Sequence, residues 1–313
     1  MNAPSRDHGG GLDAARARWG GAAGDWIDLS TGINPEPYPL PPLAARDWQA
    51  LPDREAQDAL LAAARQFWAV PDGADILAAP GDSALIARLP ALAPAGPVRI
   101  SGPTYNEHAA AFRAHGRAVV ETGPAPTRVV VSPNNPDGAD WTAPGDLPQF
   151  LVVDESFADT SPERTFVRQA REPGRVVLKS FGKFWGLAGL RLGFAIGHPE
   201  TLAPLVEALG PWPVAGPALR IGTVALSDRD WAGATRLRLA ADAARLDRLM
   251  APHGRLVGGT SLFRLWAVDD ATAFRDRLAG HRVHVRVFPY SATWVRLGLP
   301  PADRWLQLEA ALA

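Results

Sequence analysis

The feature that most constrains the fold of this chain is an alternation of short apolar runs with helical segments between residues 75 and 197. The apolar runs are DILAA (75–79), VRI (98–100), RVVV (128–131), FLVV (150–153), RVVLKS (175–180) and LRLGFAIG (190–197). Such alternation predicts parallel strands joined by crossover helices. Near-continuous Val, Ile and Leu is typical of strands that are covered on both faces. We therefore expect an α/β fold with a mostly parallel sheet.

The character of the sequence changes after PWPVAGP (211–217). A long helical pattern follows at 235–250, then the strand-like runs SLFRLWAV and HVRVFPY, and a final helical pattern near the C-terminus. This change of pattern predicts a second, smaller domain. We place the large domain at residues 37–213 and assign residues 1–36 together with 214–313 to the small domain.

Composition excludes several classes of function. The 313 residues are 47% hydrophobic, enough for a substantial core, and the formal net charge of -1 argues against nucleic acid or an anionic membrane as the main partner. Without cysteine there are no disulfides, thiolate metal sites or cysteine nucleophiles. The seven histidines form no H-E-x-x-H pattern, so no metal site is expected. No apolar run reaches membrane-spanning length and no signal peptide is recognisable, so we expect a cytoplasmic protein.

Lysine usage points to chemistry. Of the 32 basic residues, two are lysines, Lys179 and Lys183, and both lie in VVLKSFGKFWGLAGLRLGF (176–194). Arginine stays protonated, whereas a lysine amine can become a nucleophile. Lys179 closes an apolar run and is expected in a strand. Lys183 follows in a glycine-containing loop and is the better candidate for a covalent bond to an aldehyde cofactor. Alternatively, both lysines are surface residues that occur by chance in a chain that otherwise uses arginine.

In doubly wound sheets, ligands bind at the carboxyl ends of the strands. The residues predicted there are Gly81, Asp82, Ser83, Tyr105, Asn135, Asp154, Ser180, Lys183 and Arg191. An acid, an amide, an aromatic ring, a hydroxyl-rich loop and a lysine together suit pyridoxal phosphate (PLP). Individually, however, an aspartate at such a position is often a helix cap, and an asparagine before proline is often a turn residue.

Each of these residues has a predicted task. Asp154 would pair with the pyridine nitrogen, Asn135 would donate to the phenolic oxygen, and Tyr105 would stack on the ring. The phosphate would be held by the amides of Asp82 and Ser83 next to Gly81, by the Ser180 hydroxyl and by Arg191.

The motifs SPNNPDG (132–138), VVDESF (152–157) and SFGKFWGLAGLRLGF (180–194) carry a family resemblance. Their order closely resembles fold-type I PLP-dependent enzymes, in the histidinol-phosphate aminotransferase branch. HGGG (8–11) and DLSTGINP (28–35) look like the threonine-phosphate decarboxylases of cobalamin biosynthesis within that branch. The resemblance implies a large domain with a mostly parallel seven-stranded sheet flanked by helices, a small α+β domain and a homodimer.

The resemblance also implies the reaction and the substrate contacts. The reaction is the PLP-dependent decarboxylation of L-threonine O-3-phosphate to (R)-1-amino-2-propanol O-2-phosphate and CO2, with Lys183 and Asp154 as catalytic residues. Arg296 corresponds to the arginine that binds the substrate carboxylate, and Arg286 adds a second positive charge. The remaining expected substrate contacts are His8, Gly32, Ile33, Asn34 and Asn135.

The chain departs from the family pattern at two places. Many aminotransferases have a tyrosine three residues after the aspartate, where this chain has Phe157. Relatives also supply a tyrosine from the partner subunit just before a Pro-Asp pair, where Leu51 precedes Pro52 and Asp53. Phenylalanine at position 157 is more typical of the decarboxylases. Because the same residues serve transamination, a histidinol-phosphate-type aminotransferase stays open as an alternative, and so does a non-catalytic PLP-binding regulatory module.

Overall fold

The computed structural model describes residues 7–143 and 145–313. Its helices are α1 (Leu12–Trp19), α2 (Ala45–Gln49), α3 (Arg54–Phe67), α4 (Asp82–Ile86), α5 (Leu89–Leu92), α6 (Asn106–Ala114), α7 (Pro199–Leu209), α8 (Gly216–Ser227), α9 (Arg229–Met250), α10 (Ala271–Gly280) and α11 (Trp305–Leu312). Its strands are β1 (Ile27–Asp28), β2 (Asp75–Ala79), β3 (Val98–Arg99), β4 (Val119–Val120), β5 (Thr127–Val131), β6 (Phe150–Asp154), β7 (Arg175–Ser180), β8 (Gly193–Gly197), β9 (Arg255–Thr260), β10 (Phe263–Ala267), β11 (Val283–His284), β12 (Arg286–Phe288) and β13 (Ser291–Gly298).

The chain forms two compact units. The large unit comprises residues 37–135 and 140–234, and the small unit comprises residues 7–36, 136–139 and 235–313. The boundary predicted at residue 213 therefore differs from the observed one, because α8 packs against α3 of the large unit. Gly222 of α8 lies so close to Leu60 of α3 that a Cβ at position 222 would be 2.8 Å from the leucine side chain.

A seven-stranded sheet forms the centre of the large unit, in the order β2-β8-β7-β6-β5-β3-β4. All its strands run in one direction except β8, which pairs antiparallel with both β2 and β7. The expectation of a mostly parallel seven-stranded sheet is confirmed. LRLGFAIG was wrongly grouped with the parallel strands: the 12 residues between β7 and β8 contain one short 3-10 helix, Ala188–Leu190, rather than a crossover helix, so β8 returns antiparallel.

The core of the large unit lies between this sheet and its helices. Leu85, Phe112, Val152, Leu178 and Leu205 belong to one buried cluster that includes residues of β6, β7 and helices α4 to α7. β6 is buried along its whole length, as the run FLVV predicts for a strand covered on both faces.

The small unit is α+β. A four-stranded antiparallel sheet has the order β12-β13-β10-β9, and β1 pairs in parallel with β11. The predicted helix at 12–19 is present as α1, and the predicted long helix is α9, of which residues 235–250 belong to this unit. In the part of the chain that the structure describes, no helix combines the length and apolar character needed to cross a membrane.

Candidate active site

Predicted site residues lie at or just beyond the ends of three neighbouring strands of the large sheet. Asp154 is the last residue of β6 and lies in register with Val131 of β5 and Leu178 of β7. Ser180 is the last residue of β7, and Asn135 lies in the turn that follows β5. Because these strands are parallel, all three residues lie at the carboxyl edge of the sheet, where ligands bind in folds of this kind.

Asp154 is 2% exposed and is held by hydrogen bonds on both carboxylate oxygens. His108 Nε2 in α6 lies 2.8 Å from Oδ2, while the Ser156 hydroxyl and backbone N–H lie 2.6 Å and 3.0 Å from Oδ1. Burial alone would raise the pKa of Asp154, but its interactions with His108 and Ser156 hold that pKa below its ordinary value. Asp154 is therefore a carboxylate at neutral pH, and its orientation is fixed.

Gly81 and Arg191 lie in close contact at the start of α4. Gly81 has φ +82°, and a Cβ at this position would lie 2.5 Å from Arg191 Nη2. Arg191 itself has the left-handed φ of +52°, and its Nη1 donates to the carbonyl oxygen of Ala188 at 3.0 Å. Glycine is required here both for its backbone conformation and for the approach of the guanidinium. The contact places the Arg191 guanidinium beside the residue that precedes α4.

Asp82, the first residue of α4, joins this cluster through its side chain. Its Oδ2 lies 3.0 Å from the Ser156 hydroxyl, and its Oδ1 packs so closely on β8 that a Cβ at Gly193 would lie 2.1 Å away. Burial and the charge of Asp154 raise the pKa of Asp82 well above its ordinary value. The hydrogen bonds of Ser156 and Ser180 and the charge of Lys183 lower this pKa, but by less. The sequence predicts a role for the Asp82 amide but none for this carboxyl group.

Lys183 lies partly buried in the loop that follows β7. The loop is closed by the Gly186 N–H, which donates to the Lys183 carbonyl oxygen at 3.1 Å. The Lys183 Nζ lies 5.5 Å from the centre of the Phe157 ring, at the position where many aminotransferases carry tyrosine. The amine therefore faces an aromatic ring without a phenolic oxygen.

Aromatic stacking immobilises the same loop. The Trp185 indole is completely buried between the rings of Phe181 and Trp231, with centroid distances of 5.0 Å and 5.3 Å and interplanar angles of 11° and 12°. The Trp185 carbonyl oxygen also accepts from the Tyr38 N–H at 2.9 Å. Offset stacked rings of this kind stabilise their mutual orientation beyond simple burial. Trp185, two residues after Lys183, thus anchors the backbone of the loop.

Tyr105 precedes α6 and closes another side of the cluster. Its ring lies edge-on to His108, with centroids 6.1 Å apart. Burial raises the pKa of Tyr105 to about 12, with further contributions from Asp154, Glu107 and Asp82. The phenol therefore stays neutral throughout the physiological range, which suits the predicted stacking role.

The second lysine has a different environment. Lys179 is 1% exposed within β7, and its Nζ lies 2.6 Å from Glu155 Oε2 and 3.4 Å from Asp159 Oδ1. Burial alone would lower the pKa of Lys179, but the two carboxylates raise it above its ordinary value. Lys179 is therefore a charged structural residue, in agreement with its expected place in a strand.

Two predicted substrate arginines lie side by side in the small unit. Arg286 of β12 and Arg296 of β13 are directly opposite each other in the antiparallel sheet, so their side chains share one face. Arg296 is buried and donates from Nη2 to the Ser30 carbonyl oxygen at 2.6 Å; burial and the charge of Arg286 lower its pKa to about 10. Arg286 forms a two-pronged ion pair with Asp7, with both nitrogen–oxygen distances at 2.7 Å.

The N-terminal HGGG segment lies beside these arginines. The His8 carbonyl oxygen accepts from Arg286, the Gly10 N–H donates to the Ser30 hydroxyl at 2.7 Å, and His284 Nε2 lies 3.1 Å from the Gly10 carbonyl oxygen. The segment thus reaches the arginine pair through its backbone, while the His8 residue is exposed.

The other predicted contacts of the small unit are more dispersed. Asn34 is buried, and its Oδ1 accepts from Arg238 Nη2 at 2.6 Å and from the Glu36 N–H at 3.1 Å. Gly32 is buried and Ile33 partly buried in the segment that follows β1. Asn135, expected to contact both cofactor and substrate, belongs to the large unit.

Several residues that contact Asp154 or Asp82 were not predicted from the sequence. His108 and Ser156 bond to Asp154, and Gly193 admits the Asp82 side chain. Ser156 follows Asp154 by two residues within VVDESF, so an Asx-type turn could have been predicted from its position. His108 lies 46 positions away in sequence, and nothing in the sequence pattern pairs it with Asp154.

Known proteins share this architecture. Residues 124–304, more than half of the chain, match the family described as aminotransferase class I and II. The chain belongs to the aminotransferase class I and II family. A threonine-phosphate decarboxylase from Sinorhizobium sp. is 41% identical, with 94% of this chain and 93% of that protein covered. The threonine-phosphate decarboxylase of Pseudomonas aeruginosa is 39% identical, with 98% and 97% covered.

Solved structures of the family have the same fold. Histidinol-phosphate aminotransferase from Sinorhizobium meliloti, in complex with pyridoxal-5'-phosphate, superimposes with a TM-score of 0.81 at 21% identity. The superposition covers 97% of this chain and 93% of the other. The expected fold-type I architecture is confirmed.

Proposed function

We propose that the protein is a PLP-dependent decarboxylase that converts L-threonine O-3-phosphate into (R)-1-amino-2-propanol O-2-phosphate and CO2, a step of cobalamin biosynthesis. The observation that carries this proposal is the 41% and 39% identity to two threonine-phosphate decarboxylases over almost the whole chain. Histidinol-phosphate aminotransferases of mycobacteria are 31% identical over 69% of this chain, which makes aminotransferase activity the second candidate.

The residues of the large unit fit PLP. The contact of Gly81 with the Arg191 guanidinium, beside the amides of Asp82 and Ser83, offers a cationic concavity for a phosphate group. Asp154, held as a carboxylate, suits a protonated pyridine nitrogen. Ser180 and Asn135 follow the adjacent strands and would bind the phosphate and the phenolic oxygen respectively.

Lys183 would bond to the cofactor aldehyde and then act as a proton carrier. When bound, PLP supplies an electron-withdrawing ring that stabilises the negative charge left at Cα as CO2 departs. The Asp154 carboxylate would keep the ring nitrogen protonated and so maintain that withdrawal. The Lys183 amine would then return a proton from Nζ to Cα.

The small unit suits a substrate with two anionic groups. Arg286 and Arg296 present two guanidinium groups on one face of the sheet, and the substrate carries a carboxylate and a phosphate. We assign the carboxylate to Arg296. The phosphate would bind Arg286 and the HGGG segment that includes His8, with Gly32, Ile33 and Asn34 completing the enclosure.

We also propose a homodimer. The segment 40–51 carries three large apolar side chains that are more than half exposed: Leu40 at 63%, Trp48 at 70% and Leu51 at 68%. Clustered exposed apolar residues of this size are typical of protein interfaces. Leu51 is also the residue that replaces the tyrosine expected from a partner subunit. Localisation in the cytoplasm stays a prediction.

One assay tests the proposed reaction. The purified protein is loaded with PLP, L-threonine O-3-phosphate is added without a keto acid, and CO2 is measured. We expect stoichiometric CO2, with turnover reduced at least about 100-fold in Lys183→Ala, the lower end of the contribution of a positioned proton carrier. Lys183→Arg is the matched control: it keeps the charge but cannot act as a nucleophile, and should be equally inactive.

The same assay separates the alternatives. Conversion that depends on 2-oxoglutarate, without CO2, would identify an aminotransferase. Bound PLP with no turnover of any phosphorylated amino acid would identify a non-catalytic binding module. Normal turnover by Lys183→Ala would contradict the whole assignment.

A further inference from the structure

One serine hydroxyl lies between two carboxyl groups in the large unit. Ser156 Oγ is 2.6 Å from Asp154 Oδ1 and 3.0 Å from Asp82 Oδ2. A hydroxyl has a single hydrogen and can donate to one of these oxygens at a time. If both carboxyl groups were ionised, the second contact would place two lone pairs opposite each other.

The distances decide which oxygen receives the hydroxyl hydrogen. A separation of 2.6 Å is typical of an O–H group donating to a carboxylate, so the hydrogen points to Asp154. The Ser156 oxygen then faces Asp82 as an acceptor. The 3.0 Å contact is a hydrogen bond only if Asp82 Oδ2 carries a proton and donates it.

We propose that Asp82 is a neutral carboxylic acid in the folded protein and serves as a positioning residue. It donates to Ser156, which donates to Asp154, while His108 holds the other oxygen of Asp154. The chain of hydrogen bonds fixes the carboxylate that the proposed function assigns to the pyridine nitrogen, and in that respect the inference rests on the proposed function.

The surroundings of Asp82 favour the protonated form. Its side chain packs against the backbone of β8 at Gly193, and the Ser156 hydroxyl lies between it and the carboxylate of Asp154. Burial and Asp154 together raise the pKa of Asp82 well above its ordinary value, although Ser156, Ser180 and Lys183 act in the opposite direction. Tyr105, Glu107 and Arg191 are further titratable groups whose charges interact within this cluster, and His108 contacts Asp154.

A neutral Asp82 has a consequence for the cofactor site. Its backbone amide is one of those assigned to the cofactor phosphate, and an ionised side chain on the same residue would repel that anion. The proton on Asp82 removes this repulsion and leaves Asp154 as the carboxylate of the hydrogen-bonded chain.

Thermal unfolding as a function of pH tests the proposal independently of turnover. A carboxyl group whose pKa is raised by folding contributes stability that is fully present below its unfolded pKa of about 3.9 and is lost as pH rises through the folded value. Asp82→Asn keeps an N–H donor toward Ser156 but cannot ionise. The melting temperature of Asp82→Asn minus that of the wild type should therefore increase between pH 5 and pH 8, by at least about 2 °C.

The measurement is made on the full chain with and without PLP. Asp58→Asn, at an exposed position of α3, is the matched control, and its difference from the wild type should stay constant over the same range. A difference for Asp82→Asn that does not change between pH 5 and pH 8 overturns the proposal. Because no substrate is involved, that result would leave the proposed reaction standing.

PLP affinity provides a second readout. Asn at position 82 can still donate to Ser156, whereas Leu of similar size cannot, so Asp82→Asn should bind PLP at least about 5-fold more tightly than Asp82→Leu at pH 8. Equal affinities would contradict a donor role. Should Asp82→Asn fail to fold, carboxyl-carbon NMR of the aspartate-labelled wild type decides: the proposal requires an aspartate signal that titrates well above the ordinary range.

Discussion

At the level of single residues, the two proposed substrate-binding arginines differ in what their guanidinium groups contact. Arg296 is buried and donates to a backbone carbonyl oxygen, whereas Arg286 is engaged by the carboxylate of Asp7 in a two-pronged pair. A carboxylate bound in this way occupies the donors that a substrate phosphate would use. We therefore expect Asp7 to compete with the proposed substrate phosphate for Arg286.

Asp7→Asn should lower the KM for L-threonine O-3-phosphate by about 3- to 5-fold, since an ion pair whose acidic partner is 43% exposed contributes at most about 1 kcal/mol. Asp13→Asn, a change at an exposed acid in the first turn of α1, is the matched control and should leave KM unaltered. Steady-state kinetics at constant ionic strength measures both. An increase in KM for Asp7→Asn would instead mean that the pair orients Arg286 for the substrate.

At the level of elements, β7 and the loop that follows it separate the two lysines by function. Lys179 lies in the strand, where it pairs with Glu155 and Asp159. Lys183, four residues later, lies in the loop. Asp159 also accepts from the indole nitrogens of Trp68 and Trp185, at 2.9 Å and 3.2 Å. The buried charge of Lys179 thus connects β7 to the tryptophan that anchors the Lys183 loop.

Lys179→Met should destabilise the protein by about 3–5 kcal/mol, because it leaves two buried carboxylates without their cation. Urea unfolding monitored by tryptophan fluorescence measures the loss. The matched control is Arg171→Ala, which breaks an exposed pair with Glu172 at 3.4 Å and should lose no more than about 1 kcal/mol. Equal losses in the two variants would mean that the buried cluster contributes no more than a surface ion pair.

Much of this architecture could be predicted because it depends on local patterns. The apolar runs identified six of the seven strands of the large sheet, all except β4, and helical spacing identified α1 and α9. The direction of β8 was not predictable, because LRLGFAIG has the same composition as a parallel strand and its direction depends on the connection before it. The positions of the strand ends likewise predicted Asp154 and Ser180 as site residues. The contact of His108 with Asp154 could not be predicted, because it depends on how α6 packs on the sheet.

At the level of the whole molecule, the exposed apolar side chains of segment 40–51 are the basis for the proposed homodimer. Trp48 and Leu51 are about two-thirds exposed, on and directly after α2. Burying such residues in a shared interface would remove a large apolar area from water. The proposed homodimer provides a second copy of the same segment for this purpose.

A double change, Trp48→Asp with Leu51→Asp, should convert the dimer into monomers at micromolar concentration, because it places charges in an apolar interface. Sedimentation velocity measures the distribution. Leu306→Asp, at a residue of α11 that is 77% exposed in the small unit, is the control and should sediment like the wild type. A wild-type protein that sediments as a monomer would refute the homodimer outright.

The sparing use of lysine makes this protein a convenient subject for covalent labelling. The two side-chain amines that an acylating reagent could modify differ in their surroundings. Lys179 is enclosed among carboxylates in β7, and Lys183 lies in the loop beside Phe157. Peptide mapping by mass spectrometry would then report the reactivity of Lys183 almost free of background from surface amines. The occupancy of the site by vitamin B6 or by inhibitors could be followed in this way without any spectroscopic band.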